Sequence, residues 1–327
     1  MILDSYEREH NYLRISLTDK CNLRCAYCMP NEAYAFMPKQ HLMQATEIEE
    51  IARVFVSMGV DKIRLTGGEP MARKDFDSIV RRLSALPVEL SITTNATLLH
   101  RHIDVLKEAR IANLNISLDT LSAARYFKLT RRDLFDQTYN NIQLAIRHGF
   151  NVKINTVVMK GVNDDEVLDF IRWTADEAVE IRFIEFMPFE GNRWEGAQVF
   201  SKQEILELVQ TRYTLTPLPS KPHDTSSPFG INGHKGSFAI ISTMSNPFCA
   251  GCNRMRLTAD GKMKNCLFSA EETDLLSAFR ANQPIDGLIR NNILGKKEKL
   301  GGQFGDRPVG EIQGDRIINR SMISIGG

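Results

Sequence analysis

Along residues 12–210 the spacing of apolar positions keeps switching between two periods. Residues 12–18, YLRISLT, are a short run rich in strand formers. Residues 46–59 then place Ile48, Ile51, Ala52 and Phe55 at helical spacing, one apolar face of a helix. Thr46 with Glu49 reads as a capping box and Gly59 as a stop. The switch recurs down the chain. Strands are expected over 61–70, 88–95, 113–119, 151–158 and 180–188. Helices are expected over 76–86, 101–110, 135–149, 165–178 and 202–210. Strands separated by helices imply parallel pairing with right-handed crossovers. The fold class is therefore α/β, a partial (β/α)6 TIM-like barrel. An open doubly wound sheet gives the same alternation. The barrel is preferred because so many strand ends carry polar or small residues, and barrel sites are built at the C-terminal ends of strands. Here those ends are a cysteine loop, then Gly-Gly-Glu-Pro, Thr-Thr-Asn, Ser-Leu-Asp and Phe-Met-Pro.

From about residue 212 the pattern breaks into a stretch rich in Pro, Ser and Gly. Strand-like runs follow, and Ala-Asp-Gly at 259–261 is a hairpin signal between two of them. The expected division is a partial barrel over 1–235 and a small C-terminal module over 236–327. Composition narrows the function class. A chain of 327 residues with 43% hydrophobic residues can bury a large core, and a formal charge of +1 gives no general nucleic-acid or membrane surface. The first sixteen residues carry charges where a signal peptide needs an apolar stretch, and no run of about eighteen apolar residues exists. A cytoplasmic protein is expected.

The six cysteines lie in two tight groups, Cys21, Cys25 and Cys28, and Cys249, Cys252 and Cys266. Clustered cysteines in a chain of this kind read as metal ligands or redox groups. Each triplet is one ligand short of a closed tetrahedral site. Zinc with a fourth ligand, His41 for the first group or His234 for the second, is one solution. A four-iron cluster with one open iron is the other. Basic residues also fall on expected strands: Arg14, Arg64 and Lys153, where an unpaired charge is costly. Arg254 and Arg256 alternate, so both point to one face. By contrast, the runs 131–133 and 295–299 are expected to be solvated surface.

The first loop, Cys21-x3-Cys25-x2-Cys28 with Tyr27 before the last cysteine, resembles the signature of the radical S-adenosylmethionine enzymes. That resemblance implies a [4Fe-4S] cluster whose open iron chelates S-adenosylmethionine and delivers the electron that cleaves it to methionine and a 5′-deoxyadenosyl radical. Gly68 in TGGEP, Ser117 and Met187 match cofactor-contact positions. Residues 246–268, NPFCAGCNRMRLTADGKMKNCLF, resemble the C-terminal cluster region of the GTP 3′,8-cyclase family of molybdenum cofactor biosynthesis. This second resemblance runs over nearly the whole chain. It implies a second [4Fe-4S] cluster on Cys249, Cys252 and Cys266 that binds the substrate purine. It places Arg14, Arg64, Thr93, Lys153, Arg254 and Arg256 at GTP contacts and sends the terminal Gly326 and Gly327 into the active site. The implied partners are GTP, an electron donor and the next pathway enzyme, cyclic pyranopterin monophosphate synthase. No nucleic acid or membrane is implied, and a homodimer is one option. Two alternatives stay open: a radical enzyme that modifies a peptide with an auxiliary cluster, and a zinc-binding regulatory protein.

Overall fold

The computed structural model describes residues 1–29, 34–305 and 307–326. Strand β1 (Tyr12–Ser16) leads through the cysteine loop to α1 (Ala45–Ser57), and the alternation continues as β2 (Lys62–Thr66), α2 (Phe76–Ser84), β3 (Glu89–Thr94), α3 (Ile103–Glu108) and β4 (Asn113–Ser117). Two helices, α4 (Ala123–Thr130) and α5 (Phe135–Arg147), precede β5 (Asn151–Val158), followed by α6 (Val167–Asp176), β6 (Glu180–Glu185) and α7 (Lys202–Gln210). The C-terminal half adds β7 (Leu215–Pro217), β8 (Ser227–Ile231), β9 (Ser237–Ile241), β10 (Arg254–Leu257), β11 (Lys262–Lys264), β12 (Thr273–Asp274), α8 (Leu275–Arg280), α9 (Asp286–Leu294) and the short α10 (Met322–Ile325).

Among the described residues one sheet holds all twelve strands, in the order β12-β11-β10-β1-β2-β3-β4-β5-β6-β9-β8-β7. The six strands expected from the sequence lie side by side and parallel. Two more parallel strands come from beyond residue 235: β10 beside β1 and β9 beside β6. The sheet therefore runs without a break across the expected division at 235/236. Antiparallel strands finish both edges, so the barrel is partial and open.

Alternation along the strands sets the two faces. One set, including Leu13, Ile15, Ile63, Leu65, Ile92, Leu114, Ile154 and Phe183, is fully buried and joins Ile48, Ile51 and Phe55 of α1 and their counterparts in one apolar core. Burying each such side chain contributes roughly 1.5–3 kcal/mol. The other set is polar and faces the concave side. Two local expectations are corrected. Helix α1 starts one residue earlier than expected, and its capping box is Gln44 with Glu47, the Gln44 amide donating to Glu47 Oε2 at 2.7 Å. Glu49 instead accepts from Arg53 and Arg82. Helix α4 was not expected. It is only eight residues long, with three of them buried, too short for its period to stand out.

Candidate active site

The cysteine loop leaves β1 at its C-terminal end and is tied down on two sides. The Gly68 and Glu69 amides donate to the carbonyls of Thr18 and Lys20 at 2.6 and 2.8 Å. The Arg24 and Ala26 amides donate to Thr130 and Leu129 at the end of α4 at 2.9 and 3.0 Å. A side chain on Gly68 would put its Cβ 2.5 Å from the Lys20 carbonyl, and one on Gly67 would meet Thr18 at 2.7 Å. Both glycines thus let the turn after β2 lie against the cysteine loop. Glu69, fully buried, accepts from the amides of Met71 and Asn95 and from Thr94 Oγ1, at 2.7–3.0 Å. It staples the ends of β2 and β3 together, and burial pushes its carboxyl up to about 7. The glycines of this turn stand out in the sequence; the glutamate does not, because its three partners come from the separate strand end at 94–95 and from Met71.

Cys21, Cys25 and Cys28 are free thiols lining a cavity of about 290 Å³. Burial pushes all three thiols up, Cys21 to about 11 with help from the Glu69 carboxylate. Asn95 Nδ2 donates to Cys21 Sγ at 3.7 Å. Tyr27 donates its hydroxyl to Asp119 Oδ2 at 2.7 Å, and the same carboxylate accepts from the Val157 amide at 2.9 Å. Burial raises Asp119 to about 6.

The same cavity is lined by Cys249, Cys252 and Cys266, so the structure brings both triplets to one hollow. The hairpin expected around Ala259–Gly261 is present: Gly261 has φ +70°, and Thr258 N donates to Lys262 O at 2.9 Å. It carries Cys266 back beside the Cys249–Cys252 turn. Among the described residues no three His, Cys, Asp or Glu side chains are set to hold a single metal ion. Thiolates around one zinc, each at about 2.3 Å, would crowd within about 4 Å of one another. His234, offered as a fourth zinc ligand, instead sits on Thr174 Oγ1 at 2.8 Å.

Between the triplets lies a row of cations. Arg256 on β10 is in register with Arg14 on β1, which is in register with Arg64 on β2. All three line the cavity. Neighbouring strands are about 4.8 Å apart. Two unit charges about 5 Å apart repel by about 3 kcal/mol at an effective dielectric constant of about 20. Burial pulls Arg64 down to about 10 and Arg256 well below its ordinary value, Arg14 adding to both. Guanidinium does not give up its proton in proteins, so the row is built to receive an anion. Arg14 Nε and Asn155 Oδ1, both at the cavity, are buried without a hydrogen-bond partner. Arg254, Thr93, Ser117 and Met187 line the same space. Arg182, which the sequence reading did not select, does too. Lys153 does not. It stands on the inner face two residues before Asn155, with Nζ 3.6 Å from Glu180.

The C-terminal tail folds into this hollow. Arg256 Nη1 donates to the Gly326 carbonyl at 2.6 Å. Gly326 has φ +88°, and a Cβ there would meet Thr66 Oγ1 at 2.7 Å and Ser16 Cβ at 2.8 Å. Ser16 and Thr66 lie two residues beyond Arg14 and Arg64, so the tail tip sits between the arginine row and the cysteine loop. Ile323 and Ile325 are buried behind it. Gly327 lies outside the described residues. One expectation fails outright: of the run 295–299, Lys296 is only 4% exposed and reaches the second triplet. No helix among the described residues is long and apolar enough to cross a membrane.

Comparison with known proteins agrees with this geometry. Residues 15–174 match the model of the radical SAM superfamily, and residues 179–301 match Molybdenum Cofactor Synthesis C. The chain is 44% identical over its full length to a mitochondrial GTP 3′,8-cyclase of Arabidopsis thaliana, covering 84% of that protein. It is 45% identical over 85% of its length to molybdenum cofactor biosynthesis protein 1 of Drosophila melanogaster, and the match covers 50% of that longer chain. The crystal structure of Streptococcus suis SuiB bound to S-adenosylmethionine shares the fold, with a TM-score of 0.61 at 18% identity over 97% of this chain and 77% of that one.

Proposed function

The chain belongs to the radical S-adenosylmethionine superfamily and, within it, to the GTP 3′,8-cyclase family, and on that premise we propose that it converts GTP to 3′,8-cyclo-7,8-dihydroguanosine 5′-triphosphate, the first step of molybdenum cofactor biosynthesis. The observation that carries this reading is the in-register row of Arg256, Arg14 and Arg64 in the cavity shared by both cysteine triplets. A triphosphate carries about four negative charges and is matched by guanidinium forks. A peptide substrate would leave the row uncompensated.

The donor sets fit two [4Fe-4S] clusters, each held by three free thiols facing one cavity. Cys21, Cys25 and Cys28 would hold the first, with S-adenosylmethionine beside Tyr27, Gly68, Ser117 and Met187. Cys249, Cys252 and Cys266 would hold the second, next to the base of GTP. When bound, the first cluster and S-adenosylmethionine supply a carbon-centred radical able to take a hydrogen atom from the ribose. The chain's own residues orient the reactants and exclude water. Arg14, Arg64, Arg254 and Arg256 bind the triphosphate, and Thr93 fixes its position. Lys153 acts at longer range, from β5 beside Glu180. Gly326 closes the site between triphosphate and cofactor, Gly327 is assigned to the same role on the family resemblance alone, and Arg256 touches both tail and substrate. An external one-electron donor reduces the clusters, and the product passes to cyclic pyranopterin monophosphate synthase, all in the cytoplasm.

The test is anaerobic incubation of the iron-loaded protein with GTP, S-adenosylmethionine and a strong reductant. A product isomeric with GTP is expected, formed with one 5′-deoxyadenosine per turnover. Unchanged GTP alongside cofactor cleavage would remove the cyclase assignment.

A further inference from the structure

Beneath the second triplet lies a buried polar network built from both ends of the chain. Lys296, 4% exposed, follows α9. Its Nζ has three partners: Cys252 Sγ at 3.2 Å, the Arg254 carbonyl at 3.1 Å and His10 Nε2 at 2.8 Å. An ammonium has three donors and no acceptor, so the three contacts use it fully. His10 Nε2 must then accept, which places the ring proton on Nδ1, where the Arg8 carbonyl receives it at 2.8 Å. Of the three partners, Cys252 is the one able to carry a negative charge.

The arrangement is braced from two sides. Arg8 is held by Asp4 at 2.6 Å and donates to the carbonyls of Cys249, Glu298 and Lys297 at 2.7–3.0 Å. It therefore clamps the cysteine turn and the lysine's own segment together. Next, Leu300 takes a φ of +45°, a conformation that costs about 1–3 kcal/mol in a residue other than glycine. In that conformation its amide donates to Cys249 Sγ at 3.5 Å. Two of the three thiols in this triplet thus receive an N–H donor from the single segment 296–300, one of them charged. In the first triplet the corresponding side-chain donor is the neutral Asn95 amide on Cys21, at 3.7 Å.

We propose that Lys296 is a positioning residue for the second cluster, giving Cys252 a charge-assisted N–H···S bond that makes this cluster easier to reduce than it would otherwise be. The proposal rests on the reading that Cys249, Cys252 and Cys266 hold a cluster. Hydrogen bonds to cluster sulfurs are a main determinant of reduction potential. A fixed positive charge beside the thiolate stabilises the more negative, reduced state. The network also explains why the N-terminal segment folds across the far side of this triplet instead of hanging free.

The experiment uses the full chain, loaded with iron and sulfide, with Cys25→Ser throughout so that only the second triplet holds a cluster. Lys296→Met and Lys296→Arg are added singly, and each protein is taken through a redox titration followed by electron paramagnetic resonance. At the potential where the Cys25→Ser protein is half reduced, Lys296→Met is expected to show a reduced-to-oxidised ratio at least tenfold lower, a shift of about 59 mV for one electron. Lys296→Arg should stay within about threefold, because the charge is kept. Loss of the cluster from the methionine variant with retention in the arginine variant supports the same conclusion. An unchanged midpoint in Lys296→Met, or equal loss of the cluster from both variants, overturns it and makes Lys296 a packing residue. If Cys25→Ser protein binds no iron at all, the failure belongs to the second-cluster reading itself.

Discussion

The two triplets share a donor set and a cavity but differ in almost everything around them. The first sits on one short loop, fastened to backbone from β2 and α4, beside the buried carboxyls of Glu69 and Asp119. Its thiols are pushed up by burial, with carboxylates adding to the effect. The second is assembled from a turn and the far end of a hairpin, braced by Arg8 and Lys296 from opposite ends of the chain. Burial raises Cys252 too, yet Arg254 and Lys296 outweigh it and bring the thiol down to about 6. Three cysteines in a pattern therefore do not define a job. A carboxylate-rich surround disfavours added negative charge and suits a strongly reducing centre, whereas a cationic surround welcomes an anionic nucleotide. On the proposed reading, that difference divides cofactor cleavage from substrate binding.

Four changes to the chain separate the roles of the two triplets. The largest effect is expected from Cys25→Ser, which should abolish 5′-deoxyadenosine formation even with excess reductant while the second triplet still loads iron. Next, removing Gly326 and Gly327 should leave iron content and GTP binding intact but remove most cyclisation, measured by product formation. Gly326 lies against Arg256, Ser16 and Thr66, not against either cysteine triplet's turn. Cys266→Ser follows: the first cluster still assembles and cleaves S-adenosylmethionine, but cyclisation falls well below wild type and GTP binds more weakly. A wild-type cyclisation rate in this variant would leave the second triplet without a substrate role. The smallest change is Arg14→Met. It should weaken GTP binding by roughly 1.5–3 kcal/mol, the range for hydrogen bonds to charged groups. Without ligand it should raise stability by about 1 kcal/mol, since it takes one half-buried like charge out of the row. Calorimetry and thermal melting check the two signs. A stability loss with unchanged affinity would mark Arg14 as structural.

Much of this was legible in the chain because it follows local periodicity. The six parallel strands, the hairpin at Ala259–Gly261 and the loop of Cys21, Cys25 and Cys28 depend on residues a few positions apart. What escaped depends on partners far away. Helix α4 is a short piece whose role is to offer the Leu129 and Thr130 carbonyls to a loop a hundred residues earlier. That β9 and β10 flank the six strands is a matter of long-range pairing, which no run such as SFAIIST or RMRL encodes by itself. Lys296 sits in a charged run that reads as surface, and only the packing of residues 4–10 against it makes it interior. Lys153 shows the reverse. It has the right strand and face, but its pairing with Glu180, which keeps it out of the cavity lining, comes only from register.

On the proposed reading the first triplet serves the cofactor and the second the substrate. The most direct measurement uses two proteins, each loaded with iron, one with the first triplet changed to serine and one with the second. Each is reduced, and its paramagnetic resonance spectrum is recorded with GTP or with S-adenosylmethionine. GTP should perturb only the cluster on Cys249, Cys252 and Cys266, and S-adenosylmethionine only the one on Cys21, Cys25 and Cys28. GTP acting on the first cluster, or both ligands acting on one, would contradict that reading.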